Sequence, residues 1–117
     1  MTEKALSLLG LARRAGRLAC GHDAAVEAIV KNRAQLCLCS ADASDRLERE
    51  LRHACTFEHK QIPFARLSVP MTALSKAVGT KAAVVTVNDK GFAERICALL
   101  AEEPTTGKDE DYAESEI

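Results

Sequence analysis

Gln35 to Ser40 reads QLCLCS, apolar at every position except its two ends. A strand with one wet face alternates polar and apolar residues, so a strand lacking that alternation has to be covered on both faces. Helices on either side of a sheet provide such a cover, and the hexapeptide therefore points to an α/β fold built as a three-layer α/β/α sandwich. The periodicity around it agrees. Residues 3–15 place Ala5, Leu8, Leu9 and Ala12 at helical spacing, with Arg13, Arg14 and Arg17 gathered where cations suit a helix C-terminus, and Gly16 as the stop. Arg17 to Cys20 is a short strand, and Ala24 to Lys31 a second helix with Val26, Ile29 and Val30 turned inward.

After QLCLCS, the run ADASDRLERELRHAC forms a third helix, capped by Asp42 or Ser44 and buried through Leu47, Leu51, Ala54 and Cys55. Three opposite-charge pairs four residues apart, Asp45 with Arg49, Arg46 with Glu50 and Glu48 with Arg52, mark its wet face, each worth about 0.3–0.5 kcal/mol. Pro63 precedes a third strand near Phe64 to Leu67. Thr72 is placed to cap a helix that runs through Leu74, Ala77 and Val78 to Gly79. AAVVTV, Ala82 to Val87, is the fourth strand, and Asp89 caps a last helix with Phe92, Ile96, Leu99 and Leu100 inward. Four short strands in a mixed sheet alternate with helices. No apolar stripe is left over once these faces are assigned, and the oligomeric state is not set by the sequence.

The chain has 117 residues, 47% of them hydrophobic, which suffices for one core and not for two. Its net charge of −1 conceals a division: residues 1–101 carry +5 and residues 102–117 carry −6. The expected organisation is one basic domain, 1–101, and an acidic disordered tail, 102–117, that solvates the chain; the alternative is a tail that shields the basic body from polyanions by attraction over a Debye length of about 10 Å. The opening MTEKALSLLGLARRAGR alternates charge with leucine, unlike a signal peptide, and no apolar run of about eighteen residues occurs. A soluble, cytoplasmic protein with no membrane partner is expected. The cysteines, Cys20, Cys37, Cys39, Cys55 and Cys97, are then most simply small apolar residues, since no second CxxC or spaced His pair completes a metal site. No metal and no cofactor is expected. There is no G-x-G-x-x-G after a strand, Gly79-Thr80-Lys81 lacks the rest of a phosphate loop, and no local motif suggests a Ser, His and acid set, although a dispersed triad stays open. The expectation is a non-enzymatic protein.

One junction stands apart. Gly21 allows a tight turn, after which the amides of His22 to Ala25 lack acceptors within the helix, so the terminus is a ready hydrogen-bond or anion site. Asp23 is equally suited to cap it, leaving His22 as a solvent-facing loop residue.

The run LGLARRAGRLACGHDAAVEAI, the strand QLCLCSADAS, then Ile62-Pro63, then VPMTALSKAVGTKAAVVTVND, in that order and spacing, resemble the kink-turn RNA-binding ribosomal protein family in its bacterial, YlxQ-like branch. The likeness spans residues 4–100. It implies a binding module whose second helix presents its N-terminus to the widened groove of a kinked RNA, with polar residues there reading the edges of sheared G·A pairs and a loop, here Ser68, Val69, Pro70 and Met71, covering an extruded base. A regular A-form major groove is too narrow to read, so such a site needs bulged or distorted RNA, with cations on phosphate supplying affinity. Family readers usually carry Gly-x-Asn-Glu with a lysine after two further residues; this chain has Gly21, His22, Asp23, Ala24 and Glu27. Asp23 and Glu27 accept hydrogen bonds from guanine and repel phosphate. Arg13, Arg14, Arg17, Lys31 and Arg33 flank the site. Aromatic residues are only 3%, which disfavours a single-strand binder built on stacking platforms. The implied partner is structured RNA, ribosomal RNA or another kinked RNA of the translation machinery; the alternative is a module for ribosomal or translation proteins, for which an acidic patch beside a basic one is natural.

Overall fold

The computed structural model describes residues 2–101, and the expected acidic tail lies outside them. Its elements run α1 (Thr2–Arg14), β1 (Leu18–Cys20), α2 (His22–Val30), β2 (Leu36–Cys39), α3 (Asp45–Thr56), β3 (Phe64–Arg66), α4 (Met71–Val78), β4 (Val84–Val87) and α5 (Lys90–Ala101), with a short 3₁₀ turn at Phe57–His59. The strands form one mixed sheet in the order β1-β4-β2-β3. β4 is antiparallel to both neighbours, pairing Leu18 with Val87 on one side and Leu36 with Val87 on the other, whereas β2 and β3 are parallel, Cys37 opposite Phe64.

All four residues of β2 and of β4 are buried. Because strand side chains alternate in direction, Leu36, Leu38, Val85 and Val87 pack on one face with Leu9, Leu74, Val78 and Ile96 of α1, α4 and α5. Cys37 and Val84 pack on the other with Ala25, Ala28 and Ile29 of α2 and Leu51 and Cys55 of α3. The three layers read from QLCLCS are thus present. Cys37, Cys39 and Cys55 are buried and Cys20 and Cys97 half-buried, all as free thiols. Burial pushes the Cys20, Cys39 and Cys97 thiols up, as does a contact with Cys55, joined to burial, at Cys37.

Three expectations are corrected, and one choice left open, the cap of α3, is decided. Val30 does not face inward: Ala25, Ala28 and Ile29 form the buried stripe of α2, and Val30, about 100° further round the helix, is 63% exposed. Thr72 does not cap α4; Pro70 holds that position, and the Met71 amide donates to Asp42 Oδ1 at 2.9 Å from another loop. Ser44, not Asp42, caps α3, accepting from the Leu47 amide at 3.1 Å. On the wet face of α3 only Glu48–Arg52 forms of the three pairs (2.7 Å), because Asp45 and Glu50 find partners on other elements. Asp89 caps α5 through the Phe92 amide at 2.9 Å, as its position indicates.

Gly10 sets how closely α1 meets α4. A Cβ built there would sit 2.9 Å from the Ala77 carbonyl oxygen, which is backbone and unable to turn aside. Alanine's helix preference, about 1 kcal/mol, is outweighed by forcing two packed helices apart. Gly10→Ala is expected to lower unfolding free energy by about 1–2 kcal/mol in urea titrations followed by circular dichroism.

Candidate nucleic-acid interface

The α2 junction is built by the sheet. The Gly21 amide donates to Val84 O at 2.9 Å, extending the β1–β4 ladder by one residue, and its carbonyl accepts from Ala25 N–H at 2.9 Å to begin the helix. Serving both requires φ 97° and ψ 163°, a region closed to residues with a Cβ. Among the described residues no side chain caps this terminus, so Asp23 does not serve as the ordinary cap its position allows. The amides of His22, Asp23 and Ala24 precede the first helical donor, that of Ala25.

His22 is instead joined to α3, with Asp23 beside it. His22, the first helical residue, places Nε2 2.7 Å from Glu50 Oε2 and Nδ1 3.2 Å from Asp23 Oδ1. The Glu50 contact first and the Asp23 contact second raise the His22 pKa, because both favour the imidazolium that donates from each nitrogen. Glu50 had no signal in the sequence, where its helical spacing to Arg46 accounts for it.

Along the outer edge of β1 runs a hollow of about 420 Å³ lined by Arg13, Ala24, Glu27, Arg33, Thr80 and Asn88 together with β1 itself. It brings together Arg13, Arg33 and Glu27 of the residues named from sequence; Thr80 and Asn88, small polar loop residues, carried no motif. Arg13 donates from Nη1 to the Val78 carbonyl in the last turn of α4, so it supports the scaffold as well as the hollow. Glu27 accepts from Lys31 Nζ at 2.8 Å, and that contact, with Arg33 nearby, holds its carboxyl below the usual range. The repulsion expected from Glu27 is thus offset within its own helix. Arg14, Arg17 and Arg33 are exposed, and among the described residues none of them, nor Arg13, makes an ion pair.

The predicted residues fall into two groups. Gly21, His22 and Asp23 leave the end of the sheet where Ser40 N–H meets Ala83 O and Leu67 N–H meets Cys39 O, the end from which Ser68 to Met71 also emerge. That loop is held by Val69 O, which accepts from Ala41 N–H at 2.7 Å, and by the Asp42–Met71 bond. Val69 packs against the core and Pro70 is exposed. Val69 meets the end of β2, two strands from β1, a separation of about 10 Å at sheet spacing. Arg17, Lys31 and Arg33 lie at the other end of β1 and α2, about 13 Å away by helix rise. The hollow connects the groups, since its lining runs from Asn88 to Ala24. Among the described residues no cluster of three or more His, Cys, Asp or Glu side chains could hold a metal ion, and no helix is long and apolar enough to cross a membrane.

This fold and this junction place the chain in a known class. It belongs to the Ribosomal protein L7Ae/L30e/S12e/Gadd45 family, whose pattern matches residues 3–96. It is similar to the RNA-binding protein YlxQ of Bacillus subtilis (strain 168), 33% identical over 94 residues, 80% of this chain and 91% of the relative. It is also similar to the RNA-binding protein YlxQ of Enterococcus faecium, 26% identical over 98 residues, 84% of this chain and 92% of the relative. Among solved structures, a protein of unknown function from Bacillus halodurans superposes with a TM-score of 0.77 at 34% identity, covering 85% of this chain and 98% of that one. The Giardia lamblia 15.5kD RNA binding protein gives 0.65 at 21% identity, covering 86% and 88%, a likeness of fold.

Two outcomes follow from this geometry. Gly21→Ala meets no atom within 4 Å but inherits a backbone conformation of about 1–3 kcal/mol strain, so chemical denaturation should show a loss of that size. For His22, the raised pKa means that its contribution to folding is fully present below the ordinary histidine pKa and disappears as pH rises through the folded value. An NMR titration of the His22 ring should give a midpoint above the ordinary histidine value in the parent, and a lower one in Glu50→Gln.

Proposed function

We propose that this chain is a non-enzymatic RNA-binding protein that holds structured RNA of the translation machinery along the β1 edge. The observation that carries this reading is the hollow along β1, which Arg13 and Arg33 line together with Ala24 of the first turn of α2, neither arginine making an ion pair among the described residues. The names of its YlxQ relatives, and that of the Giardia protein sharing its fold, support RNA as the ligand class. The arginines take phosphates, and the amides of His22 to Ala24 with the Asp23 carboxylate face base edges. Asp23 and Ala24 stand where kink-turn readers carry Asn and Glu, so this junction favours a distorted RNA chosen by donors that a carboxylate accepts, guanine N1–H and N2–H among them. Ser68 to Met71 extend the surface from the same end of the sheet.

Binding that leans on arginine and phosphate has a steep salt dependence. Fluorescence anisotropy with a bulged RNA hairpin, between about 50 and about 200 mM salt, should show affinity falling steeply, and Arg14→Ala with Arg17→Ala should lower the log–log slope by about 0.7–0.9 per arginine that contacts phosphate. A salt-independent affinity, or a double variant as tight as the parent, overturns the reading. The acidic pair Asp23 and Glu50 beside His22 favours a second reading, a module for ribosomal or translation proteins. Purified chain free of absorbance at 260 nm that ignores both structured and unstructured RNA would select it.

A further inference from the structure

At the end of α2 remote from Gly21, the surface carries apolar groups that the core leaves out. Val30 closes α2 with 63% of its surface exposed, and Phe57, following α3, is 54% exposed. Both line one hollow of about 300 Å³ with Ile29, Ala54 and His53. His53 packs against Phe57 with ring centroids 5.6 Å apart. Left-handed backbone follows both helices, at Asn32 (φ 60°) after α2 and at Glu58 and His59 (φ 56° and 67°) after α3. Asparagine adopts such angles readily, whereas a residue such as Glu58 holds them only where its surroundings impose them.

We propose that this Val30–Phe57 face docks a second copy of the chain about a two-fold axis. A two-fold interface has to be complementary to itself, so each copy must offer both a projecting group and a recess. Here a half-exposed phenyl ring stands beside an apolar recess with room for another. The rim is complementary in the same sense: Glu58 and Lys60, of opposite sign and two residues apart, line the one hollow, so the axis sets Glu58 of each copy against Lys60 of the other. A net charge of −1 adds little long-range repulsion between copies. His22 and Val30 are at opposite ends of α2, so the dimer leaves both Gly21 junctions open. The inference stands independently of what those junctions bind.

Seven residues line the hollow, against roughly 20–30 a side in a standard interface, so association in the range of about 10 µM to about 1 mM is expected. Sedimentation equilibrium of the full chain over that range should show the mass rising from one copy toward two and no further. Phe57→Ser and Val30→Ser should hold it at one copy with unchanged thermal melts, while Leu11→Ser, an exposed apolar residue on α1, should not alter association. Glu58→Lys and Lys60→Glu should each weaken association about tenfold, and the two together should restore it. A chain that stays monomeric throughout, association indifferent to Phe57→Ser, or a double swap no better than the single ones overturns the proposal. A monomeric chain whose Phe57→Ser variant loses RNA affinity overturns it also, and gives the face to RNA.

Discussion

Antiparallel pairing of β4 with both β1 and β2 is the constraint from which the rest of the molecule follows. Val84 O fixes the Gly21 amide and Ala83 O fixes the Ser40 amide, so two excursions from the sheet are pinned to the start of a single strand. The parallel step to β3 then brings Leu67 to the same end through Cys39 O. Three segments far apart in the chain, Gly21 to Asp23, Ser40 to Asp42 and Ser68 to Met71, thereby open at one end of a sheet whose two central strands are buried.

What keeps that end in shape is a relay of polar contacts at the edge. Arg66, on β3, donates from Nε to Glu48 at 2.8 Å and from Nη1 to the carbonyls of Ala41 and Ala43 at 2.7 and 3.0 Å, fixing the turn after β2. That turn aims Asp42, which accepts from Ser40 Oγ at 2.8 Å and from the Met71 amide, and these contacts hold its carboxyl below the usual range. The start of α4 is thus capped by a residue twenty-nine positions earlier. Such a cap ties a loop of the candidate interface to the sheet more firmly than a local Thr72 cap would, because it closes only when β2 and β3 are paired.

Charge is distributed with the same economy. Glu27 is taken by Lys31, Glu48 by Arg52 and Arg66, and Glu50 with Asp23 by His22, so the acids of α2 and α3 are largely occupied. The arginines at the end of α1 and the start of β1 have no such partners among the described residues. A chain with a net charge of −1 therefore presents an uncompensated positive edge beside α2, at short range where screening is weakest.

The layers, the element order and the Asp89 cap were legible in the amino-acid sequence, because each depends on spacing along the chain: alternation lost in QLCLCS, helical period in α1 and α5, a turn glycine before α2. The orientation of Val30 was not, since three neighbouring apolar residues of α2 satisfy several helical faces and only the placement of the sheet and α3 selects Ala25, Ala28 and Ile29. Nor were the Asp42–Met71 cap, the His22–Glu50 contact or the hollow along β1, all of which join residues from elements that the sheet order brings together. Local periodicity determines what forms; which surfaces meet is decided by strand pairing, whose long-range partners leave no mark on the spacing of any one segment.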